Sequence, residues 1–202
     1  MIRLYTQIND NQLSILKDAS LLEYNRFLNI IGNGRYQVYK EKLIAICLCQ
    51  GFAQHYTETI SYQNRKVDNI EYIQQNEIDE KGYKVDDNGI VYSGIKDIDI
   101  WFFFKEDLLV KIRDVGNMRK SYDKEIKGIG NISIDFMKKG IKEEYYKLYD
   151  NMPENTVREY INNCKTQTAM FLRRKSIVGL YPESIYKHII WNVSRRYVKK
   201  DV

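Results

Sequence analysis

Behind Asp10 and Asn11, either of which supplies an N-cap, the apolar residues Leu13, Leu16, Leu21, Leu22, Phe27, Leu28 and Ile31 recur at roughly helical spacing. Gly32 and Gly34 close the pattern, so a first helix is expected up to about residue 31. The pattern then changes. KLIAICLCQG holds an unbroken apolar run from Leu43 to Cys49 whose length and Ile/Cys content suit a central strand buried on both faces. It stops at Gln50-Gly51, and FAQHYTE reads as the first turns of a short helix.

Residues 59 to 92 are polar and charge-mixed, with turn signals at Lys81-Gly82 and at DDNG (86 to 89), and predict a hairpin or a lid-like insertion. SGIKDIDIWFFF then gives a strand over 97 to 104, with DLLVKIR (107 to 113) as an expected partner. NISIDFM sets Ile132 and Ile134 against Ser133 and Asp135, the period of two of a half-exposed strand. From Lys142 the signals turn helical. EEYYKLYDN makes one helix, Pro153 opens the next, which runs to about Lys175, VGLYP is a turn, and Glu183 or Ser184 opens a last helix through IYKHIIWNVSRRYV. The expected fold class is α+β: a mixed sheet flanked by helices over residues 1 to 140, followed by a helical region over 141 to 202.

At 202 residues the chain fits one compact domain, and with 44% hydrophobic residues and two prolines it has the makings of a packed core rather than a disordered chain. Its formal charge of +5 permits nucleic acid or nucleotide partners without demanding them. The basic groups Arg173-Arg174-Lys175, Arg195-Arg196 and Lys199-Lys200, together with Lys165, read as solvated faces and tails. Cys47, Cys49 and Cys164 are an odd set with no second Cys/His pair at zinc spacing, and read as small apolar residues of a reduced core. No run reaches membrane-spanning length and MIRLYTQINDNQ has no apolar signal core, so the expectation is a cytoplasmic protein with no membrane partner.

The candidate chemistry begins at Asp97 and Asp99. Residues two apart on a strand share a face, so the two carboxylates project together while Ile98 and Ile100 turn to the core. Like charges that close repel, and a divalent cation relieves them; Mg²⁺ prefers carboxylate oxygens and shares its shell with substrate phosphates. Asp135, on its own strand, is the natural third ligand if two ions are to be held. Gly51, between a strand and a helix, offers backbone N–H groups to phosphate oxygens with no Cβ in the way.

In this order CQGFAQHY (49 to 56), KDIDIW (96 to 101) and ISIDFM (132 to 137) resemble the nucleotidyltransferase superfamily of the polymerase β type. That family follows a strand, a glycine turn and a helix with a D-x-D strand and a third carboxylate on a neighbouring strand. The motif style is most similar to its toxin–antitoxin and abortive-infection group. The resemblance covers roughly residues 43 to 137. It implies metal binding and catalysis by Asp97, Asp99 and Asp135, nucleotide contact at Gln50, Gly51, Phe52 and His55, and Mg²⁺ or Mn²⁺ as cofactor. It further implies a nucleoside triphosphate donor, an acceptor that is RNA, protein or a small molecule, and an antitoxin or other protein as partner. The chain departs from the pattern in having Gln50 and Phe52 around Gly51, where the family carries a second Gly or Ser. Two other functions fit the residues: an inactive nucleotidyltransferase scaffold used for binding, and a metal-dependent nuclease using Glu125-Ile-Lys127 beside Asp97 or Asp99. His188 and the aromatics Trp101 to Phe104 are expected to be structural.

Overall fold

The structure, a computed structural model, describes residues 2–4, 10–31, 40–54, 56–57, 70–72, 83–85, 91–93, 97–105, 118–121 and 133–192. Its centre is a six-stranded mixed sheet built from β2 (Leu43–Cys49), β6 (Asp97–Lys105), β7 (Met118–Ser121), β8 (Ser133–Ile141), β9 (Ser176–Tyr181) and β10 (Ile189–Trp191). The spatial order is β10-β9-β2-β6-β8-β7, in which only the β6/β8 pair is parallel. Two small pairs stand apart: β1 (Ile2–Leu4) runs parallel with β3 (Ile70–Tyr72), and β4 (Tyr83–Val85) pairs antiparallel with β5 (Val91–Ser93). The β4/β5 pair overlaps the segment 59 to 92, for which a hairpin or a lid-like insertion is expected, and ends one residue past it. The expected strand at 107–113 lies outside the described residues.

Side-chain alternation splits the core into two layers. Ile46, Leu48, Ile98, Ile100, Phe102, Phe104, Ile134, Phe136, Val178 and Leu180 face α1 (Asp10–Ile31) and the helical residues 50–54 and 56–57. Helix α1 presents Leu13, Leu16, Tyr24, Phe27 and Leu28 to that face. Ser20 sits in the same buried stripe because its hydroxyl donates to the Leu16 carbonyl at 2.6 Å. Leu22, included in the apolar pattern, instead points to solvent, 65% exposed. On the opposite face Ala45, Cys47, Cys49, Trp101, Phe103 and Ile177 pack against α3 (Pro153–Asn163) and α4 (Gln167–Leu172), through Val157, Tyr160, Ile161, Ala169 and Leu172. A short helix, α2 (Glu143–Tyr146), leads into that layer. Strand β2 is thus buried on both faces, as its unbroken apolar run predicts. All three cysteines are buried and free.

The last third of the chain corrects the sequence expectation. Helix α3 opens at Pro153 as expected, but the helical pattern breaks at Cys164 and α4 ends at Leu172. Arg173 folds back, donating to the carbonyls of Ile161 and, at 2.7 Å, Cys164, so part of the basic cluster closes the end of α3 instead of facing solvent. SIVGLY then forms β9 inside the sheet, hydrogen-bonded to β2, and Ile189–Trp191 forms β10 at its edge. Neither the VGLYP turn nor a helix through residues 183–192 is present. Only a 3₁₀ turn, Glu183–Ile185, separates the two strands. The reason lies at Gly179: an added Cβ would meet the Ile185 carbonyl oxygen at 2.0 Å, so this glycine marks a close backbone approach within a strand, not a turn. His188 is not helical either, and pairs with Glu154 at 2.7 Å.

Candidate active site at the carboxylate end of the sheet

The site is assembled where β2 ends and β6 and β8 begin. Cys49, the last residue of β2, is the register partner of Asp99, and Asp99 is in turn the register partner of Asp135 on the parallel neighbour β8. Partner residues on adjacent parallel strands point to the same face, about 4.8 Å apart along the hydrogen-bonding direction. The flanking Ile98, Ile100, Ile134 and Phe136 all belong to the α1 layer, which puts Asp99 and Asp135 together on the opposite face, each half-buried. The spatial adjacency expected of these two aspartates is therefore present. Asp97 lies two residues earlier on β6, registered to Ser133. The side chain of Asp97, all of His55, and Glu125 and Lys127 lie outside the described residues.

Next to Asp99 the chain turns from strand to helix. Gln50 makes the turn with φ of 64°, in the left-handed region that a side chain rarely adopts, and forms an isolated antiparallel bridge with Ser176. Gly51 follows at the start of the helical residues; a Cβ built there would meet nothing within 4 Å, so the corner is open on that side. The Phe52 ring is fully buried in the α1 layer, which leaves only its backbone N–H for any ligand.

The chemistry of the donors favours oxygen ligation. The Cys49 thiol is held well above its ordinary range by burial first, and then by Cys47 and Asp99. Two carboxylates on one face suit a hard cation such as Mg²⁺. Among the described residues no three His, Cys, Asp or Glu side chains form a metal-holding group; the third carboxylate expected here is Asp97.

Sequence reasoning missed the support behind the corner. Ser176 is fully buried, with its Oγ 2.7 Å from Gln54 Oε1, 3.0 Å from Thr57 Oγ1 and 3.1 Å from Asn192 Oδ1. Gln54 and Thr57 are themselves buried, on the helical residues that follow Gly51. The only available signal was a serine opening the apolar run SIVGLY. Arg119, on β7, is the register partner of Asp135 and was likewise not singled out.

A cleft of about 310 Å³ opens at the other end of the sheet. It is lined by Glu41, Lys105, Tyr146, Tyr149, Met152 and Tyr181 among others, with the Lys105 Nζ 5.2 Å from the centre of the Tyr146 ring. Lys105 lies six positions beyond Asp99 on β6, about 20 Å at strand rise, so cleft and carboxylates are distinct places. No helix among the described residues is long and apolar enough to cross a membrane.

No family model, curated protein or solved structure matches this chain.

Proposed function

We propose that the chain is a Mg²⁺-dependent nucleotidyltransferase with a polymerase β-type fold, which moves a nucleoside monophosphate from a nucleoside triphosphate to an acceptor hydroxyl. The observation that carries this reading is the register: Asp99 opposite Asp135 on parallel strands, with Cys49 and the Gln50-Gly51 corner beside Asp99.

Asp97, Asp99 and Asp135 would hold the metal, which when bound offsets the negative charge of the triphosphate and of the departing pyrophosphate. The backbone N–H groups at Gly51 and Phe52 orient the β- and γ-phosphates. An acceptor oxygen attacks the α-phosphorus, its proton passes to Asp135, and the bond from the α-phosphorus to the bridging oxygen breaks. Pyrophosphate leaves with that electron pair.

Transfer of label from each α-phosphate-labelled nucleoside triphosphate to RNA, protein or small-molecule acceptors, with pyrophosphate release, tests the reaction. The expected result is Mg²⁺-dependent transfer that an Asp99→Asn/Asp135→Asn variant loses. Nucleotide binding with no transfer to any acceptor class would favour a binding scaffold. Nucleic-acid cleavage that depends on Lys127 would favour a nuclease.

A further inference from the structure

We propose that Ser176 is the positioning residue for the phosphate seat, holding the Gln50-Gly51 corner in the conformation that turns its N–H groups toward a triphosphate. This inference rests on the nucleotidyltransferase reading.

A non-glycine residue stays in the left-handed region only where its surroundings hold it there. At Gln50 the surroundings are the start of β9. Cys49 is paired with Ile177, and Gln50 itself is bridged to Ser176. The same serine reaches forward with its side chain to Gln54 and Thr57, past the glycine. Backbone and hydroxyl of one residue thus grip the chain on both sides of Gly51.

The hydroxyl has one proton and two lone pairs, so its contacts must be ordered. Its proton goes to Gln54 Oε1 at 2.7 Å or to Asn192 Oδ1 at 3.1 Å, both acceptors, while the Thr57 hydroxyl, 3.0 Å away, donates to the Gln54 carbonyl at 2.9 Å. Asn192, exposed and just past β10, brings the outer strand of the sheet into the same cluster. Gln54, Thr57 and Ser176 are closed off from solvent, so these groups serve the corner and not a ligand of their own. Replacing Ser176 with alanine removes the shared partner of two buried polar side chains and loosens the corner while leaving Asp97, Asp99 and Asp135 unaltered.

The experiment titrates ATP, GTP, CTP and UTP, and the four monophosphates, each with Mg²⁺, into wild type, Ser176→Ala and Ser176→Thr. A seat for the β- and γ-phosphates gives a specific pattern. Ser176→Ala weakens triphosphate binding about tenfold and leaves monophosphate binding within about twofold, and Ser176→Thr restores much of the loss. Equal loss for both ligands, or no loss in a folded variant, overturns the proposal. Asn192→Ala, which removes one contact from the exposed side, takes the place of Ser176→Ala if the latter does not fold.

Amide hydrogen exchange at Gly51, Phe52 and Ala53 without ligand decides the positioning claim separately. Exchange there must quicken in Ser176→Ala more than it does in α3, and an unchanged pattern overturns the proposal. If wild type binds no nucleotide, the nucleotidyltransferase reading has failed, and the exchange result still stands on its own.

Discussion

Gln50 and Gly51 show how adjacent residues divide one task. The sequence singles out Gly51 as the place where N–H groups meet phosphate oxygens with no Cβ in the way; the residue that adopts the left-handed conformation is Gln50, and Gly51 stands where a Cβ would find open space. Gln50→Gly is therefore expected to stabilise the protein by about 1 kcal/mol, because the left-handed conformation costs a side chain roughly that much. Gly51→Ala should leave the urea midpoint nearly unchanged, within about 0.5 kcal/mol, and a drop in nucleotide affinity in that variant would then report ligand contact alone. Lys138 gives a pH signature. Half-buried under α1, with Nζ 4.7 Å from the centre of the Phe27 ring, its ammonium is pushed down to about 8 by burial, against the opposing pull of Glu23. A lowered lysine pKa penalises the folded state below pH 8, and the penalty fades as pH rises toward the ordinary 10.5. Urea midpoints of wild type should gain between pH 8 and 10 relative to Lys138→Met; a parallel pair of curves would contradict this. Ser176 was not legible because two of its partners, Gln54 and Thr57, lie 122 and 119 residues away along the chain, and no local pattern encodes such a contact.

Elements with one strong local signal were readable and those that depend on tertiary contact were not. Helix α1, β2 and β6 each carry a long pattern that agrees with their surroundings, and their extents match expectation closely. Strand β8 was found from its alternation but runs on to Ile141, since Met137 and Ile141 continue the face shared with Asp135. Strand β9 is six residues long, contains a glycine and precedes a proline, so locally it looks like a turn; only the Ile185 carbonyl packed against Gly179 explains that glycine. Gly179→Ala is accordingly expected to destabilise by more than about 2 kcal/mol, because the new Cβ, fixed to its own backbone, meets the backbone carbonyl of Ile185. Thermal unfolding checks it, and a shift of less than a degree would show that the β9–β10 connection yields more easily than its geometry implies. The short β10 escaped notice because Ile189–Trp191 also fits a helical stripe.

At the scale of the whole molecule, one sheet serves two ends. The carboxylate end joins Asp99, Asp135 and the Gly51 corner through three adjacent strands, while the cleft at Lys105 and Tyr146 lies about 20 Å away along β6. The two layers of core fix that arrangement. Rings of Tyr24, Phe102 and Phe136 stack in sequence on the α1 side, and Trp101, Phe103 and Tyr160 interlock on the other. The order of motifs was legible in the sequence, and so was the placing of Asp135 on a strand beside Asp99; the residue-for-residue register between them could come only from the fold. The measurement that tests the central claim most directly is calorimetric titration of each nucleoside triphosphate, with and without Mg²⁺, into wild type and a folded Asp97→Asn/Asp99→Asn variant. The account predicts binding that requires Mg²⁺ and disappears in the variant. Absence of binding by well-folded wild type, or binding that the variant retains, would contradict it.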